Sequence, residues 1–327
     1  MKNICKYSIL IIFVFIIAAV SFICRFNLGA DKNIYIVYTT DRNYIPYTKT
    51  AVKSAAVNKN PSSRYIINIL CVDLAPEEME SFKTLETKNV SIKTIPLSIE
   101  SVQNIAHNPV RKIHISKADL FKFYMAEIFP HIDKILYLDS DTIVRKDLSE
   151  LFNTDIKDYY LAVSKRPGDE YNCGVLLYNL KKWREDNIKD KLIEAKKYEY
   201  GHSCMSQCVF NKVLPYEPPY DKVKTFSTIY NVIIYWFGDN KWKRTSGFYD
   251  FEKFKSACYP YLESMNSFDD LEKNAAIIHH AAGRKPWCRM YKDFEKFTNE
   301  WIYYSKMVNP DWNYQNCSYS EPGIYGD

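Results

Sequence analysis

Short apolar runs alternate with helical stretches along the first half of the chain. The apolar runs have strand character and are rich in β-branched and aromatic residues: Ile34–Thr39, Tyr65–Cys71, Val90–Thr94 and Lys134–Leu138. Between them lie three segments with helical character: Pro46–Val57, Ala75–Leu85, which begins with Pro76 and acidic residues, and Ser116–Ile128. This alternation predicts an α/β fold with a mostly parallel sheet covered by helices.

The second half of the chain is less regular but contains the same kinds of pattern. Two further runs have strand character, Tyr159–Val163 and Gly174–Asn179. Two segments have helical character, Lys181–Tyr198 and Ser206–Leu214. Ala275–Ile278 then has the pattern of a buried strand that ends in His279 and His280. Near the C-terminus, Tyr291–Met307 has the pattern of an amphipathic helix, which we expect to pack on the core.

The N-terminus contains 18 consecutive uncharged residues, Tyr7–Cys24, bounded by Lys6 and Arg25. As a helix this run would be about 27 Å long, which is enough to cross a bilayer. The alternative is a cleaved signal peptide, whose apolar region is usually only about 7–15 residues long. We therefore expect a single-pass membrane anchor at about residues 7–24, within an N-terminal segment of residues 1–32. The pattern leaves the orientation open: a lumenal Golgi domain in a eukaryote, or a cytoplasmic domain in a bacterium.

Composition and charge indicate a folded protein that does not bind nucleic acid. The chain has 327 residues, of which 47% are hydrophobic, and this allows one large domain or two small ones. The net charge of +5 is modest, and the lysines are spread along the chain. Nine cysteines occur without CxxC pairs; Cys204 and Cys208 lie near His202, but no second pair completes a zinc site. We expect small buried cysteines, which leaves the redox compartment undecided.

Two carboxylates follow the apolar run Ile135–Leu138 directly. Asp139 and Asp141 are separated by one residue, and apolar residues resume after them. The carboxyl end of a strand is where ligands bind in open α/β sheets, and two carboxylates there repel each other unless a cation lies between them. Carboxylate oxygens suit Mg²⁺ or Mn²⁺. The pattern therefore favours a metal or phosphate site over the alternative, a pair of solvated turn residues.

Five segments, in this order along the chain, resemble the family 8 glycosyltransferases. They extend from about Asn33 to Trp287 and are Ile34–Tyr44, His114–Ala118, Ile135–Val144, Tyr171–Arg184 and Ile277–Trp287. The resemblance implies the GT-A fold, which is Rossmann-like, with a mostly parallel central sheet flanked by helices. It implies a catalytic domain over residues 33–287, after which residues 288–327 would form a helical tail packed on that domain.

The resemblance also implies roles for particular residues. His279 would be the third metal ligand beside Asp139 and Asp141, because it lies six residues before Lys285; His280 is its rival. An imidazole ligand favours Mn²⁺, with Mg²⁺ as the alternative. Residues expected to bind the donor nucleotide and its phosphates are Thr39, Thr40, Asp41, Asn43, Tyr44, Lys122, Ser140, Gly283 and Lys285. Tyr44 could stack on the base, Ser140 would lie against the ribose, and the two lysines would hold phosphate.

Asn172 and Gln207 are the residues that the resemblance implies at the reacting sugar. Where the family commonly has Asp-Gln-Asp, this chain has Ser206-Gln207-Cys208, so the amide is kept and both acids are absent. The amide oxygen of Gln207 could line the anomeric carbon, but the missing carboxylates weaken a double-displacement scheme. Lys122 replaces a family arginine, which keeps the cation and loses planar phosphate contact. Gly174 either permits close approach of a ligand or forms a β-bulge.

The leading hypothesis is a membrane-anchored, metal-dependent, retaining glycosyltransferase. It would move a hexose from a nucleoside diphosphate sugar, expected to be a UDP-sugar, to a hydroxyl of a glycan or lipid-linked glycan. One alternative is an inactive donor-binding protein or assembly subunit, which the missing acids beside Gln207 would favour. The other is an aspartate-nucleophile phosphatase built on Asp139 and Asp141, for which the sequence lacks the later acidic pair.

Overall fold

The computed structural model describes residues 33–102, 117–168, 170–198, 206–215, 222–237, 250–281, 285–288 and 295–315. The strands are β1 Asn33–Thr40, β2 Arg64–Val72, β3 Val90–Leu97, β4 Lys134–Leu138, β5 Thr142–Val144, β6 Leu161–Ser164, β7 Val175–Asn179, β8 Val223–Phe226, β9 Val232–Ile233 and β10 Ile277–His279. The α-helices are α1 Ile45–Asn58, α2 Pro76–Glu80, α3 Met125–Ile128, α4 Ser149–Phe152, α5 Leu180–Glu185, α6 Ile188–Tyr198, α7 Ser206–Val213, α8 Phe251–Ala257, α9 Phe268–Asn274 and α10 Glu295–Val308.

A seven-stranded sheet with the order β3-β2-β1-β4-β7-β6-β8 forms the centre of the fold. The pairs β2–β3, β1–β4 and β6–β8 are parallel, whereas β7 runs antiparallel to both of its neighbours, β4 and β6. Because β1 and β4 are adjacent and parallel, the residues that follow them lie at the same edge of the sheet. The predicted α/β fold with a mostly parallel sheet is confirmed.

Strand β4 is buried on both faces of this sheet, as its continuous apolar sequence predicts. Ile135 and Tyr137 pack into one hydrophobic cluster, together with Trp183 of α5. Leu136 and Leu138 pack into a second cluster, together with Ala51 of α1. Since side chains alternate between the faces of a strand, the helices cover the sheet from both sides.

A second, three-stranded sheet with the order β5-β10-β9 brings the C-terminal part of the chain to the end of β4. In its register His279 lies opposite Thr142 of β5, and Ile278 lies beside Val232 of β9. Helix α10 packs against α1. Arg145, directly after β5, fixes this arrangement by donating to the Glu300 carboxylate of α10 at 2.8 Å and to the Glu272 carbonyl at 2.7 Å.

Several predicted elements differ from those observed. The helix predicted over Lys181–Tyr198 is two helices, α5 and α6, which are separated at Asn187, where φ is +50°. Much of the helices predicted over Ala75–Leu85 and Ser116–Ile128 is 3-10 helix, at Ser81–Leu85 and Lys117–Tyr124. The sequence patterns missed β5, β8, β9, α4, α8 and α9, most of which have four residues or fewer. Within the described ranges of the chain, every helix is too short or too polar to cross a bilayer. The anchor predicted at residues 7–24 lies outside those ranges, and the domain limits stay a prediction.

Candidate active site

Asp139 and Asp141 lie in a tight turn between β4 and β5. The Asp139 backbone N–H donates to the Gly174 carbonyl at 2.8 Å, which ties the turn to the start of β7. The Asp139 carbonyl accepts a 2.8 Å hydrogen bond from the Thr142 hydroxyl. The turn thus ends the buried strand and presents both carboxylates at the carboxyl end of the sheet, where ligands bind in α/β folds.

The register of β10 places His279 against these two carboxylates. Its Nε2 atom lies 3.2 Å from Asp141 Oδ1 and 3.6 Å from Asp139 Oδ2. One ligand atom from each of the three residues lies within 4.8 Å of the others. Nearly 140 positions separate the histidine from the acids in sequence, yet the three side chains form one cluster. The sequence-predicted metal ligands are therefore brought together.

Gly174 is required at its position because the imidazole of His279 occupies the space of a side chain. A Cβ atom on residue 174 would lie 2.1 Å from His279 Cε1 and 2.7 Å from Nδ1. Such distances are far shorter than a van der Waals contact. The predicted alternatives for Gly174 were close approach of a ligand and a β-bulge; the group that approaches it here is a protein side chain instead.

His280 points away from the acids into the aromatic core. Its ring makes an edge contact with Trp301 of α10, with centroids 5.2 Å apart. Neither ring nitrogen has a hydrogen-bond partner within the described part of the chain. Burial lowers the pKa of His280 to about 3, so the ring is neutral at physiological pH. This histidine is a packing residue, and the placement favours His279 as the ligand.

Two buried lysines flank the acid pair. Lys285 forms an ion pair with Asp141 and donates to the His280 carbonyl at 2.9 Å. Burial by itself would raise the pKa of Asp141, but the Lys285 ammonium holds that pKa well below its usual range. Burial likewise opposes the charge of Lys285, and Asp141 outweighs it and raises the pKa of the ammonium. Both groups are therefore charged near neutral pH.

Lys122 carries the second cation, on the 3-10 segment Lys117–Tyr124. Its Nζ atom lies 2.8 Å from Asp119 Oδ1 and 3.0 Å from Asp139 Oδ1, and the residue is only 4% exposed. The Tyr137 hydroxyl donates to the same Asp139 oxygen at 2.9 Å. Asp119 also makes a tertiary contact, since its other oxygen accepts from the Ser206 N–H at 2.8 Å.

The cluster of Asp139, Asp141 and His279 fits a divalent cation. Asp141 Oδ1 is buried and has no hydrogen-bond partner within the described ranges, although it faces His279 Nε2 at 3.2 Å. A buried oxygen without a donor is costly, and an ion coordinated there would satisfy it. Two carboxylates and one imidazole form a ligand set that Mn²⁺ accepts readily.

Most residues predicted to bind the donor surround the ends of β1 and β4. Asp41 accepts from the Tyr44 N–H at 3.2 Å and starts a 3-10 turn, as an Asx turn would. Thr39 and Thr40 close β1, and Asn43 lies exposed in the turn. Gly283 lies outside the described residues, as does most of the segment His114–Ala118.

Ser140 is held by the protein at the position expected for the ribose contact. Its hydroxyl donates to the Thr39 carbonyl and accepts from the Thr48 hydroxyl, both at 2.8 Å. Because its only proton is already donated, the hydroxyl can offer a ligand no more than an accepting lone pair. The main role visible here is to tie the ends of β1 and β4 to α1.

Three aromatic rings stack beside the base-binding candidates. Tyr47 and Trp287 lie parallel with centroids 3.6 Å apart, and Tyr44 packs its edge against both rings. Trp287 also contacts Trp301 of α10 at 5.1 Å. The stack holds the segment that carries Lys285. Tyr44 is partly exposed beside the nucleotide-binding candidates.

Asn172 and Gln207 lie next to the metal-ligand candidates and hydrogen-bond to each other. Gln207 Oε1 accepts from Asn172 Nδ2 at 3.2 Å and from the Cys173 N–H at 3.3 Å. The expectation that this oxygen lines the anomeric carbon is not supported, because both its lone pairs are used. Sequence reasoning missed Asn231, which hydrogen-bonds to both Asn172 and His279. The available signal was a lone amide inside the apolar run Ile229–Tyr235.

The five cysteines in the described part of the chain fall into two groups. Cys71, Cys173 and Cys258 are buried free thiols, as expected. Cys208 and Cys288 are disulfide-bonded, so the expectation of small buried apolar residues is wrong for them. The two bonded cysteines lie one residue after Gln207 and three residues after Lys285.

Comparison with known proteins agrees with this geometry. The model for glycosyl transferase family 8 matches residues 35–290. The chain belongs to glycosyl transferase family 8. Glycosyltransferase GlyD of Streptococcus pneumoniae serotype 4 is 32% identical to this family 8 chain over 188 residues, which cover 55% of the chain and 22% of GlyD. Glycosyltransferase GlyB of the same organism is 25% identical over 285 residues, which cover 83% of the chain and 61% of GlyB. The family 8 chain thus spans less than two thirds of the length of these relatives.

The fold of this family 8 chain is also found among solved structures. The crystal structure of galactosyltransferase LgtC in complex with donor and acceptor sugar analogs matches it with a TM-score of 0.65 and 21% sequence identity. The match covers 84% of this chain and 96% of LgtC. At this level of identity the likeness shows the shared GT-A-like fold.

Proposed function

We propose that the chain is a metal-dependent retaining glycosyltransferase. It transfers a hexose from a nucleoside diphosphate sugar, with UDP as the nucleotide, to a hydroxyl of a glycan or lipid-linked glycan. The observation that carries this proposal is the cluster of Asp139, Asp141 and His279 at the carboxyl end of β4, with a buried carboxylate oxygen that lacks a donor. Family membership and a structural neighbour named as a galactosyltransferase support it.

The charges around the cluster suit a diphosphate leaving group. A divalent ion, with Mn²⁺ preferred to Mg²⁺, would supply Lewis acidity to the departing phosphate. Lys285 and Lys122 add two buried positive charges, one paired with Asp141 and the other with Asp139. Positive groups that are fixed before the reaction stabilise developing negative charge without reorganisation. The aromatic ring of Tyr44 and the turn at Asp41 are the candidates for binding the base and ribose.

The residues around Gln207 favour a front-face reaction. No carboxylate stands at positions 206 and 208, and the Gln207 oxygen is occupied by two donors, so an enzyme nucleophile is missing here. In the front-face reaction the acceptor oxygen bonds to the anomeric carbon on the side where the carbon–phosphate oxygen bond breaks. The acceptor proton passes to the departing phosphate oxygen, and the configuration of the sugar is retained.

A donor screen tests the proposed function. The full-length protein would be incubated with nucleoside diphosphate hexoses and Mn²⁺, and release of the free nucleotide would be measured with and without chelator. We expect metal-dependent release that Asp141→Asn reduces to background. Asp133→Asn is the matched control, because it removes an exposed carboxylate at the opposite end of β4. Retention would be checked by NMR of the anomeric configuration of the product.

The same donor screen can also support a second function, donor binding without catalysis. Because the acids beside Gln207 are absent, the alternative is a protein that binds the donor without turning it over. Tight UDP binding in the presence of Mn²⁺, with no release from any hexose donor and no transfer, would refute the enzyme and support this alternative. Binding of neither the metal nor the nucleotide would refute both.

We also propose that Tyr7–Cys24 anchors the protein in a membrane. The support is the length of the uncharged run, which matches the hydrocarbon thickness of a bilayer. Carbonate extraction of membranes from expressing cells tests the proposal. The full-length chain should stay in the membrane pellet, and recovery of the intact chain in the supernatant would contradict the anchor.

A further inference from the structure

A chain of side-chain hydrogen bonds connects the candidate metal ligand His279 with Gln207. His279 Nδ1 lies 2.9 Å from Asn231 Oδ1. Asn231 Nδ2 donates to Asn172 Oδ1 at 3.0 Å, and Asn172 Nδ2 donates to Gln207 Oε1 at 3.2 Å. Asn231 is 1% exposed, so its two bonds are sheltered from competing water. The chain joins residues from four separate segments of the fold.

Backbone N–H groups fix the direction of every bond in this chain. The Gly174 N–H donates to Asn172 Oδ1 at 2.9 Å, and the backbone group can only be a donor. The Asn231 atom that also contacts this oxygen must therefore be its NH₂ group. The opposite end of the Asn231 amide is then the carbonyl oxygen, which requires a proton on His279 Nδ1. The neutral ring consequently carries its lone pair on Nε2.

The other end of the chain is fixed independently. The Cys173 N–H donates to Gln207 Oε1 at 3.3 Å, and Asn172 Nδ2 donates to the same oxygen. Two donors identify that atom as the carbonyl oxygen and saturate its lone pairs. Gln207 Nε2 has no hydrogen-bond partner within the described residues. The amide of Gln207 is thus turned so that its two N–H bonds are the groups left for a ligand.

We propose that Asn231 is a positioning residue that holds the Nε2 lone pair of His279 toward the two carboxylates and, through Asn172, turns Gln207 to present its N–H groups. This inference deepens the proposed function and rests on it, since the lone pair would serve the divalent ion. Hydrogen-bond partners of a ligating histidine fix its tautomer and its ring orientation. The available N–H groups of Gln207 would donate to a sugar hydroxyl or a phosphate oxygen rather than contact the anomeric carbon through oxygen.

Two substitutions at Asn231 separate the two bonds that it makes. Asn231→Ala removes the acceptor for His279 and the donor to Asn172. Asn231→Asp keeps an acceptor oxygen for His279 and replaces the donor to Asn172 with a carboxylate oxygen. Asn68→Ala is the matched control, since it deletes another buried asparagine, one that hydrogen-bonds to the Ile36 carbonyl at 3.2 Å within the sheet.

The first measurement needs neither metal nor activity. Two-bond ¹H–¹⁵N NMR spectra of the metal-free, histidine-labelled full-length protein report the tautomer of each ring, and the His279 signal is assigned by its loss in His279→Gln. In spectra recorded at a pH where the ring is neutral, we expect the Nδ1–H tautomer in the wild type, in Asn231→Asp and in Asn68→Ala. We expect a mixture of tautomers in Asn231→Ala.

The second measurement is Mn²⁺ affinity from the electron paramagnetic resonance of the free ion. We expect Asn231→Ala to weaken binding about 10–100-fold, and Asn231→Asp and Asn68→Ala to bind at least as tightly as the wild type. Turnover at saturating Mn²⁺ should fall in Asn231→Asp, because Gln207 loses its support, and stay unchanged in Asn68→Ala.

The outcomes distinguish this inference from the proposed function. An unchanged tautomer and Mn²⁺ affinity in Asn231→Ala, or a loss of both in Asn231→Asp, would overturn the role of Asn231. If Asn231→Ala does not fold, Asn231→Asp still decides, because unchanged turnover in that variant would overturn the role of Asn231. If the wild type neither binds Mn²⁺ nor releases nucleotide, the proposed function fails, while the tautomers of the metal-free protein still test the hydrogen-bond chain.

Discussion

Gly174→Ala is the smallest substitution that should disable the candidate metal site. The added methyl group would lie 2.1 Å from His279 Cε1. Non-bonded carbon atoms pack at about 3.5–4.0 Å, so the two groups must separate by roughly 1.4 Å or more. The residue 174 backbone cannot easily yield, because its N–H donates to Asn172 and its carbonyl accepts from the Asp139 N–H. The imidazole therefore has to move.

The expected effect on the site is large and the effect on folding is moderate. Displacement of His279 breaks its hydrogen bond with Asn231 and moves Nε2 relative to both carboxylates. A displacement of about 1 Å at a reacting site can cost on the order of 100-fold in rate, and we expect turnover to fall at least that much. Mn²⁺ affinity should fall in parallel. Overpacking of this kind costs about 1–3 kcal/mol of unfolding free energy, so the variant should still fold.

The assay compares nucleotide release, Mn²⁺ affinity and urea denaturation for the wild type and Gly174→Ala. Gly168→Ala is the control: its φ of +89° makes alanine strained, but a Cβ there meets nothing within 4 Å. It should lose stability without losing Mn²⁺ affinity. A folded Gly174→Ala protein with the Mn²⁺ affinity and turnover of the wild type would refute the reasoning that Gly174 exists to admit His279.

Three further substitutions test other parts of the structure. Lys122→Met should cost about 1–3 kcal/mol of unfolding free energy in urea, because it leaves the partly buried carboxylates of Asp119 and Asp139 without their cation; a loss below about 0.5 kcal/mol would contradict this. The pKa of His280 in the folded protein is about 3, below that of an unfolded histidine. Below a pH of about 6.5 the unfolded chain therefore binds a proton at this residue that the folded chain does not. The unfolding free energy should consequently fall by up to about 1.4 kcal/mol per pH unit as the pH drops from about 6.5 toward 3. His280→Phe should flatten this pH dependence, and an unchanged slope in thermal denaturation would show that another group causes it. Trp301→Ala should cost about 3–5 kcal/mol, since the ring is fully buried between α10 and the segment that carries Lys285, and an unchanged urea midpoint would exclude that packing role.

The central elements of the fold could be predicted because their signals are local. Strands β1, β2 and β4 consist mostly of apolar residues, and their helical neighbours have their own start signals, so these three strands were predicted to within one residue at each end. The very short strands β5 and β9 carry no such signal, since two or three apolar residues pair only when a partner strand reaches them. The break between α5 and α6 depends on the left-handed conformation of Asn187, which asparagine permits but does not require.

The chemical identity of the site was determined by the sequence. Asp139 and Asp141 follow a buried strand, and an acid pair at that point indicates a cation-binding edge before any coordinates are known. The order of the five segments was sufficient to indicate the family. These properties depend on the order of residue types along the chain. They do not depend on how distant segments pair.

Only the tertiary structure decided which neighbouring groups those residues meet. Adjacent residues of a strand point to opposite faces, so the register of β10 against β5 sends His279 to the acids and His280 into the aromatic core. The clash that makes Gly174 indispensable, the carboxylates that share Lys122, and the bonds of Asn231 all join segments far apart in sequence. Such contacts follow from strand pairing and core packing over the whole chain, and these have no local signature.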